Sequence, residues 1–266
     1  MLGRRNLAAA LGALAVLTAV PAFAQSPAKS HLFRIQETNT LRVGTTGDYN
    51  PMSFRDPATN ELQGHQIDIA RLLAKDLGVE VKFIPTDWKT LVSGITSDQF
   101  DIVLTGTSMS VARAKVVAFA QPWGYNAFVP LVRKADAAKY KGWDDLNQPK
   151  VTVGYNLGTT FEQFVQQELP KATPRRVESP ARDWQELITG RVDITVTSLI
   201  EAAFLTKEYP QLTTLFADKP RNSIPMAFIT AIDDPIWLNF VNNWITLRKA
   251  SGFFDEIATK WRIALP

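Results

Sequence analysis

Residues 41–52, LRVGTTGDYNPM, decide the fold. Leu41 and Val43, followed by small residues, read as a short buried strand, and Gly47, Asp48, Asn50 and Pro51 then force the backbone to turn. Tyr49 is left at the tip of that turn. Open α/β sheets hold small molecules beyond the carboxyl ends of their strands, so this element either walls a ligand cleft or is an ordinary strand-to-loop junction.

Working outward, 31–39 reads as a short lead-in helix, and 57–64 (PATNELQG) as a hairpin tip or loop. Residues 67–77 carry apolar side chains at helical spacing up to Gly78, 79–84 form a strand, 88–97 an amphipathic helix and 100–105 (FDIVLT) a strand. Alternating β and α elements argue for a mostly parallel sheet with helices on both faces. A second alternating block opens at Lys150: strand KVTVGY, helix 160–168, strand RRVES, helix 181–189, strand VDITVT, helix 199–207. Two α/β blocks without sequence repetition predict two lobes and a cleft. If the chain crosses near 128–132 and returns near 223–228, two crossing strands make a hinge. The tail, a strand at 223–230 and helices at 235–249 and 252–262 with Trp237, Phe240, Trp244 and Leu247 on one face, then packs on the first lobe. The expected division is 1–24 leader, 25–39 lead-in, 40–128 with 225–266 the first lobe, and 129–224 the second.

The first 24 residues show a basic start, an apolar run over 7–20 and the ending Ala22-Phe23-Ala24, the layout of a secretory signal peptide. A periplasmic location is expected. Net charge is +3; without Arg4 and Arg5 the chain keeps 27 basic against 26 acidic residues, and no Lys/Arg cluster with interleaved aromatics marks a nucleic-acid partner. With 266 residues, 45% hydrophobic, and no cysteine, the fold is held by packing alone. His31 and His65, the only histidines, are far apart in sequence, so no metal cluster, Ser-His-Asp set or cofactor motif is visible and none is expected. His65 is expected to be a partly buried structural residue.

Four places could carry binding chemistry. Tyr49 with Asp48 is the first and Trp88, in PTDW, the second; each aromatic suits a cleft wall or a core. In TGTSMSVAR, residues 105–113, small hydroxyl residues leave backbone N–H groups open and Arg113 follows Ser108 by five positions. A guanidinium binds a carboxylate through paired hydrogen bonds, although a solvated surface Arg fits the same spacing. In NLGTTFE, Thr159-x-x-Glu162 fits a helix capping box, whose positive end could also hold a carboxylate near Thr160.

LRVGTTGDYNPMSF, FDIVLTGTSMSVARAKVVAF, GTTFEQF and GRVDITVTSLIEA, in this order over about residues 41–261, closely resemble the family-3 bacterial extracellular solute-binding proteins, the polar amino-acid receptors of ABC importers. The resemblance implies a two-lobed α/β fold, the type II periplasmic binding protein fold, with two crossing hinge strands. It implies a small carboxylate-bearing ligand, delivery to a membrane permease, no cofactor, and a monomer. The ligand's side chain would lie between Tyr49 and Trp88, its carboxylate on Arg113, Ser108 and Thr160, with Thr105 and Thr159 nearby. Ser198 stands where the family usually has an Asp that pairs with the ligand's ammonium. Either the ligand lacks that group, or Asp48 or Glu201 supplies the contact. The opening segment, PTDW and Glu162 also resemble periplasmic cyclohexadienyl dehydratases, in which Glu162 would be the general acid. Phe128 and Met226 depart from that pattern, replacing lysines.

Overall fold

The structure, a computed structural model, describes residues 30–264, so the expected leader and residues 25–29 lie outside the described residues. Ser30 caps helix α1 (His31–Thr38), its hydroxyl accepting from the Leu32 amide, and Asn39 in the left-handed region turns the chain into strand β1 (Thr40–Thr45). A small antiparallel meander follows, β2 (Asp48–Tyr49), β3 (Ser53–Arg55) and β4 (Leu62–Gln63), with the turn at 57–60 between the last two. Helix α2 (His65–Leu77) then buries Ile69, Ala70 and Leu73 in the same core as Leu41 and Val43.

Strand β5 (Glu80–Pro85) pairs in parallel with β1, so that Val43 faces Phe83 in register. The helix expected over 88–97 is shorter, α3 (Leu91–Thr96), because the Asp87 carboxylate accepts from the Lys89 and Thr90 amides at 2.9 and 2.8 Å. This turn competes with helical bonding and leaves Trp88 outside the helix. The strand expected over 100–105 is likewise reduced, to β6 (Ile102–Val103), where the Asp101 carboxylate takes the Arg42 amide of β1 at 2.7 Å and interrupts the backbone ladder. Short α4 (Val111–Ala114) and β7 (Ala118–Phe119) complete this block.

The second block begins with the ten-residue strand β8 (Gly124–Arg133). It continues through α5 (Trp143–Leu146), β9 (Thr152–Asn156), α6 (Thr160–Glu168), β10 (Thr173–Val177), α7 (Asp183–Ile188), β11 (Ile194–Ser198), α8 (Leu199–Glu208), β12 (Leu212–Thr214) and β13 (Arg221–Met226). The chain then returns through β14 (Ile229–Thr230) to α9 (Pro235–Ala250) and α10 (Phe253–Lys260). One sheet runs β5-β1-β6-β14-β7 and the other β10-β9-β11-β8-β12, with β13 beside β8. Each sheet has its own core, around Leu41, Val43 and Trp237 in the first and around Phe128, Val153 and Ile194 in the second.

The passage between sheets lies between Phe119 and Gly124, upstream of the expected 128–132. The apolar run Phe128 to Val132 is instead the wholly buried interior of β8, paired with β11 from Ser198 to Ile194. The return is a break in the strand expected over 223–230: after Met226, the Ala227 amide turns to the Thr107 carbonyl at 3.1 Å. The two passages run side by side, Trp123 N–H donating to Met226 O and Ala120 N–H to Phe228 O, each at 3.0 Å. They form the two-stranded hinge.

The terminal helices pack on the first sheet's core, as expected, but not by the expected face. Trp237, Val241, Trp244 and Ile245 are buried, whereas Leu247 is 69% exposed. The buried set follows the i, i+4, i+7, i+8 spacing of one helical stripe, onto which Leu247 does not fall. Indole N–H groups anchor the stripe, Trp237 donating to Asp101 O at 2.9 Å and Trp244 to Asp76 Oδ2 at 2.7 Å. His65 is buried completely, its ring centroid 5.0 Å from that of Trp123, and burial pushes its pKa down to about 3.

Candidate functional site

Between the two sheets lies a narrow cavity of about 20 Å³, lined by residues from four strand ends and helix starts. Tyr49 and Trp88 form one wall, with ring centroids 5.9 Å apart in an edge-to-face arrangement at 70°. The Trp88 indole N–H donates to Asp48 Oδ1 at 3.0 Å, which fixes the ring. The Tyr49 hydroxyl reaches across the cleft to Ser198 Oγ at 2.7 Å, and burial, with the Glu201 charge adding, pushes its pKa above the usual tyrosine range.

Gly106, Ser108 and Arg113 supply the second wall. Gly106 has φ +84°, and a Cβ there would lie 2.9 Å from the Tyr49 ring, so only glycine lets the loop pass under the aromatic. Ser110 caps α4 by accepting from the Arg113 amide at 3.3 Å, and this short helix carries the guanidinium inward. Arg113 is 7% exposed; its Nη1 donates to Ser108 O at 2.9 Å and its Nη2 to Gly158 O at 2.8 Å. Among the described residues no carboxylate lies within ion-pair distance of it. Burial pushes its pKa down to about 10, so it stays charged at neutral pH.

The third wall is the start of α6, with Asn156, Thr159, Thr160 and Phe161. Thr159 caps the helix as expected, accepting from Glu162 N–H at 3.3 Å, but Glu162 Oε2 accepts from Gly158 N–H at 2.9 Å, one residue before the N-cap amide that a capping box would use. Gly158 has φ +79° and a Cβ on it would stand 2.5 Å from Trp88 O, so the two sheets' loops meet at a glycine. The amides of the first turn and the Thr160 hydroxyl face a site where negative charge is favoured.

Three of the expected residues do not line the cavity. Thr105 is wholly buried behind it, bonded to Thr46 Oγ1 at 2.8 Å and Ser53 Oγ at 2.6 Å, and holds the loop. Ser198 caps α8, accepting from Glu201 N–H at 2.8 Å, and its role in the cleft is to receive Tyr49. Glu162 spends its carboxylate on the α6 cap. Tyr49, Trp88, Ser108, Arg113, Thr159 and Thr160 come together as expected.

The fourth wall was not anticipated. Arg182 lines the cavity beside Asn126 and Asn156, 7% exposed. Its Nη2 donates to Glu201 Oε1 at 2.9 Å, and its Nη1 lies 3.3 Å from Asp48 Oδ2 and donates to the Asp48 carbonyl. Burial alone would lower its pKa, but Glu201, Asp48 and Asp183 raise it above the usual arginine value. Burial lifts the Glu201 pKa to about 7 against the pull of Arg182, and lifts that of Asp183 likewise. The helix expected over 181–189 puts Arg182 inside it, but the structure makes Arg182 the N-cap of α7, a place that favours Ser, Thr, Asp or Asn and repels positive charge. An arginine set against that preference marks a job elsewhere.

The model of the bacterial extracellular solute-binding proteins, family 3, matches residues 41–264. A cyclohexadienyl dehydratase from Pseudomonas aeruginosa is 30% identical over 257 residues, covering 97% of this chain and 94% of its own. The L-cystine-binding protein TcyJ of Escherichia coli is 29% identical over 262 residues, 98% of this chain and 96% of its own. Among solved structures, the ancestral amino acid-binding protein AncCDT-1, described as a precursor of cyclohexadienyl dehydratase, superposes with a TM-score of 0.82 at 39% identity, covering 87% of this chain and 99% of its own. Two α/β lobes joined by paired hinge strands are thus the type II periplasmic binding protein fold, and the chain belongs to the bacterial extracellular solute-binding proteins, family 3.

Proposed function

We propose that this chain is the solute-binding component of an ABC importer, shutting its lobes over one small carboxylate-bearing solute and presenting the closed form to a permease in the inner membrane. The observation that carries the carboxylate is Arg113: a buried guanidinium, bonded among the described residues only to two carbonyl oxygens, in the wall of the cavity between the lobes. A buried cation without an anion is costly, and a ligand carboxylate removes that cost. Ser108, Thr159, Thr160 and the first-turn amides of α6 would complete the anion's hydrogen bonds, and Tyr49 and Trp88 would pack on its side chain. We place the lobe division at the two passages, with 40–119 and 229–264 in one lobe and 124–226 in the other. Binding then shifts the population from open to closed. The receptor is proposed to act in the periplasm, in keeping with the extracellular solute-binding family and with the amino-acid-binding proteins among its relatives, and to do so as a monomer.

The dehydratase reading draws on the similarity to the Pseudomonas enzyme. Glu162, its general acid, caps α6 away from the cavity wall, and wholly buried Phe128 and Met226 stand where lysines were expected for that enzyme. Receptor function therefore has the better support. The test is isothermal calorimetry with a panel of amino acids and small organic acids, beside an assay for phenylpyruvate formed from prephenate. Saturable binding of a carboxylate without turnover is expected. Phenylpyruvate release at enzymatic rates would overturn the reading.

A further inference from the structure

Among the described residues, the cavity wall contains two guanidiniums, Arg113 and Arg182, and no carboxylate. An α-amino acid brings a carboxylate and an ammonium, and needs an acid for the second as much as a base for the first. Two acids, Glu201 and Asp48, already pair with Arg182. Glu201 gives Oε1 to Arg182 and Oε2 to the Thr197 hydroxyl. Asp48 gives Oδ1 to the Trp88 indole; its Oδ2 has no hydrogen-bond partner among the described residues but lies in an ion pair 3.3 Å from Arg182 Nη1. Arg182 thus already answers the charge of these two carboxylates.

Arg182 also has a donor to spare. Its Nε is buried without a partner. An ammonium placed beside it would add a second positive charge and more donors, whereas a carbonyl or hydroxyl oxygen would supply the missing acceptor. Asn126 Oδ1, also buried without a partner in the cavity wall, can take one neutral donor such as a hydroxyl, but does not balance a charge.

Resting on the receptor reading above, we infer that the cleft selects 2-oxo or 2-hydroxy carboxylates over the α-amino acids of the same side chain, and that Arg182 is the residue that sets this preference. Arg113 takes the carboxylate, and the oxygen on the α-carbon takes the place of the ammonium.

The test is calorimetry on the parent chain with matched triples sharing an aliphatic, an aromatic or a cationic side chain, for instance phenylalanine, phenylpyruvate and phenyllactate. The oxo or hydroxy member is expected to bind at least tenfold more tightly than the amino member wherever a triple binds. Arg182→Met frees Asp48 and Glu201 and is expected to move the ratio at least tenfold toward the amino acid. An amino acid that binds the parent as tightly as its oxo and hydroxy counterparts would overturn the inference while leaving the receptor reading intact. An unchanged ratio in Arg182→Met would remove Arg182 as the determinant. If that variant does not fold, the parent's ratios still decide the preference. Failure of every carboxylate to bind the parent would overturn both the inference and the reading beneath it.

Discussion

Arg113 and Arg182 are equally buried and line the same cavity, yet their surroundings drive them in opposite directions. Arg113, at the end of α4, has only carbonyl oxygens, and burial lowers its pKa to about 10. Arg182, at the start of α7, has Glu201 and Asp48, whose charges outweigh burial and raise it. Burial therefore does not say what a guanidinium is for. Its counter-charge does: the arginine without one is available to a ligand's carboxylate, whereas the arginine with two has its charge answered and only its Nε left to offer.

The largest effect that separates them is on folding. Arg182→Met leaves Glu201 buried without its cation and is expected to cost about 3–5 kcal/mol of unfolding free energy, the usual result of halving a buried ion pair. Urea titration of the ligand-free chain at neutral pH measures it. A loss below ~1 kcal/mol, the range of exposed pairs, would make the two walls alike.

Arg113→Ala inverts that pattern. Removing a desolvated charge that no acid supports leaves folding stability unchanged or slightly raised, whereas carboxylate affinity falls by about 2–5 kcal/mol, as for truncated charge pairs elsewhere. Calorimetry with the best carboxylate of the panel, and the same urea titration, give both numbers. If Arg113→Ala destabilised the fold as much as Arg182→Met, the distinction drawn from their partners would fail.

His65 extends the comparison to a base that can discharge. It too is buried without an acid partner, but unlike arginine it gives up its proton, with a pKa lowered by burial to about 3. Between pH 6.5 and about 3 the unfolded chain binds a proton that the folded chain refuses, so this group's contribution to stability falls on acidification by up to about 1.4 kcal/mol per pH unit. Glu201, raised to about 7, has the opposite sign: from the ordinary glutamate value to about 7 the folded chain holds a proton that the unfolded chain releases, and stability falls as pH rises. The two slopes oppose each other over part of the range, so the parent's curve alone is ambiguous. Subtracting the urea-derived stability of His65→Phe from that of the parent at pH 7 and pH 5 isolates the histidine. The parent is expected to lose roughly 2 kcal/mol more than the variant, and equal losses would mean that His65 is hydrated in solution.

What the sequence made legible follows the range of the interactions. Helix α6 matches its expected bounds, because Thr159 and Glu162 write its start locally. The shortening of α3 and β6 depended on single carboxylates, Asp87 and Asp101, turning to backbone amides, which hydrophobic periodicity does not record. The sheet crossing was misplaced because an apolar run such as FVPLV reads the same inside a lobe or between two; only pairing with β11 settles it. At the site, residues on the expected turns converged, whereas Arg182 acts through Asp48, 134 residues away, and Glu201, 19 residues away, and nothing in its neighbourhood spells out that pairing.

The smallest effect tests whether the two walls meet as a closed state or as one core. Tyr49 Oη donates to Ser198 Oγ across the cleft at 2.7 Å, and Ser198 keeps its Glu201 N–H donor if the phenol is lost. Tyr49→Phe therefore removes one hydrogen bond and strands no buried charge, while the ring stays against Trp88. The expected loss is about 0.5–1.5 kcal/mol, or about two- to twelvefold in ligand affinity. Because the open form lacks this bond already, the loss belongs to closure: calorimetry should register it, urea titration should not, and small-angle scattering of the ligand-free variant should show a larger open fraction. A variant with parental affinity but reduced folding stability would mean that Tyr49 and Ser198 are joined in every state, and that the cleft between Arg113 and Arg182 does not open at this edge.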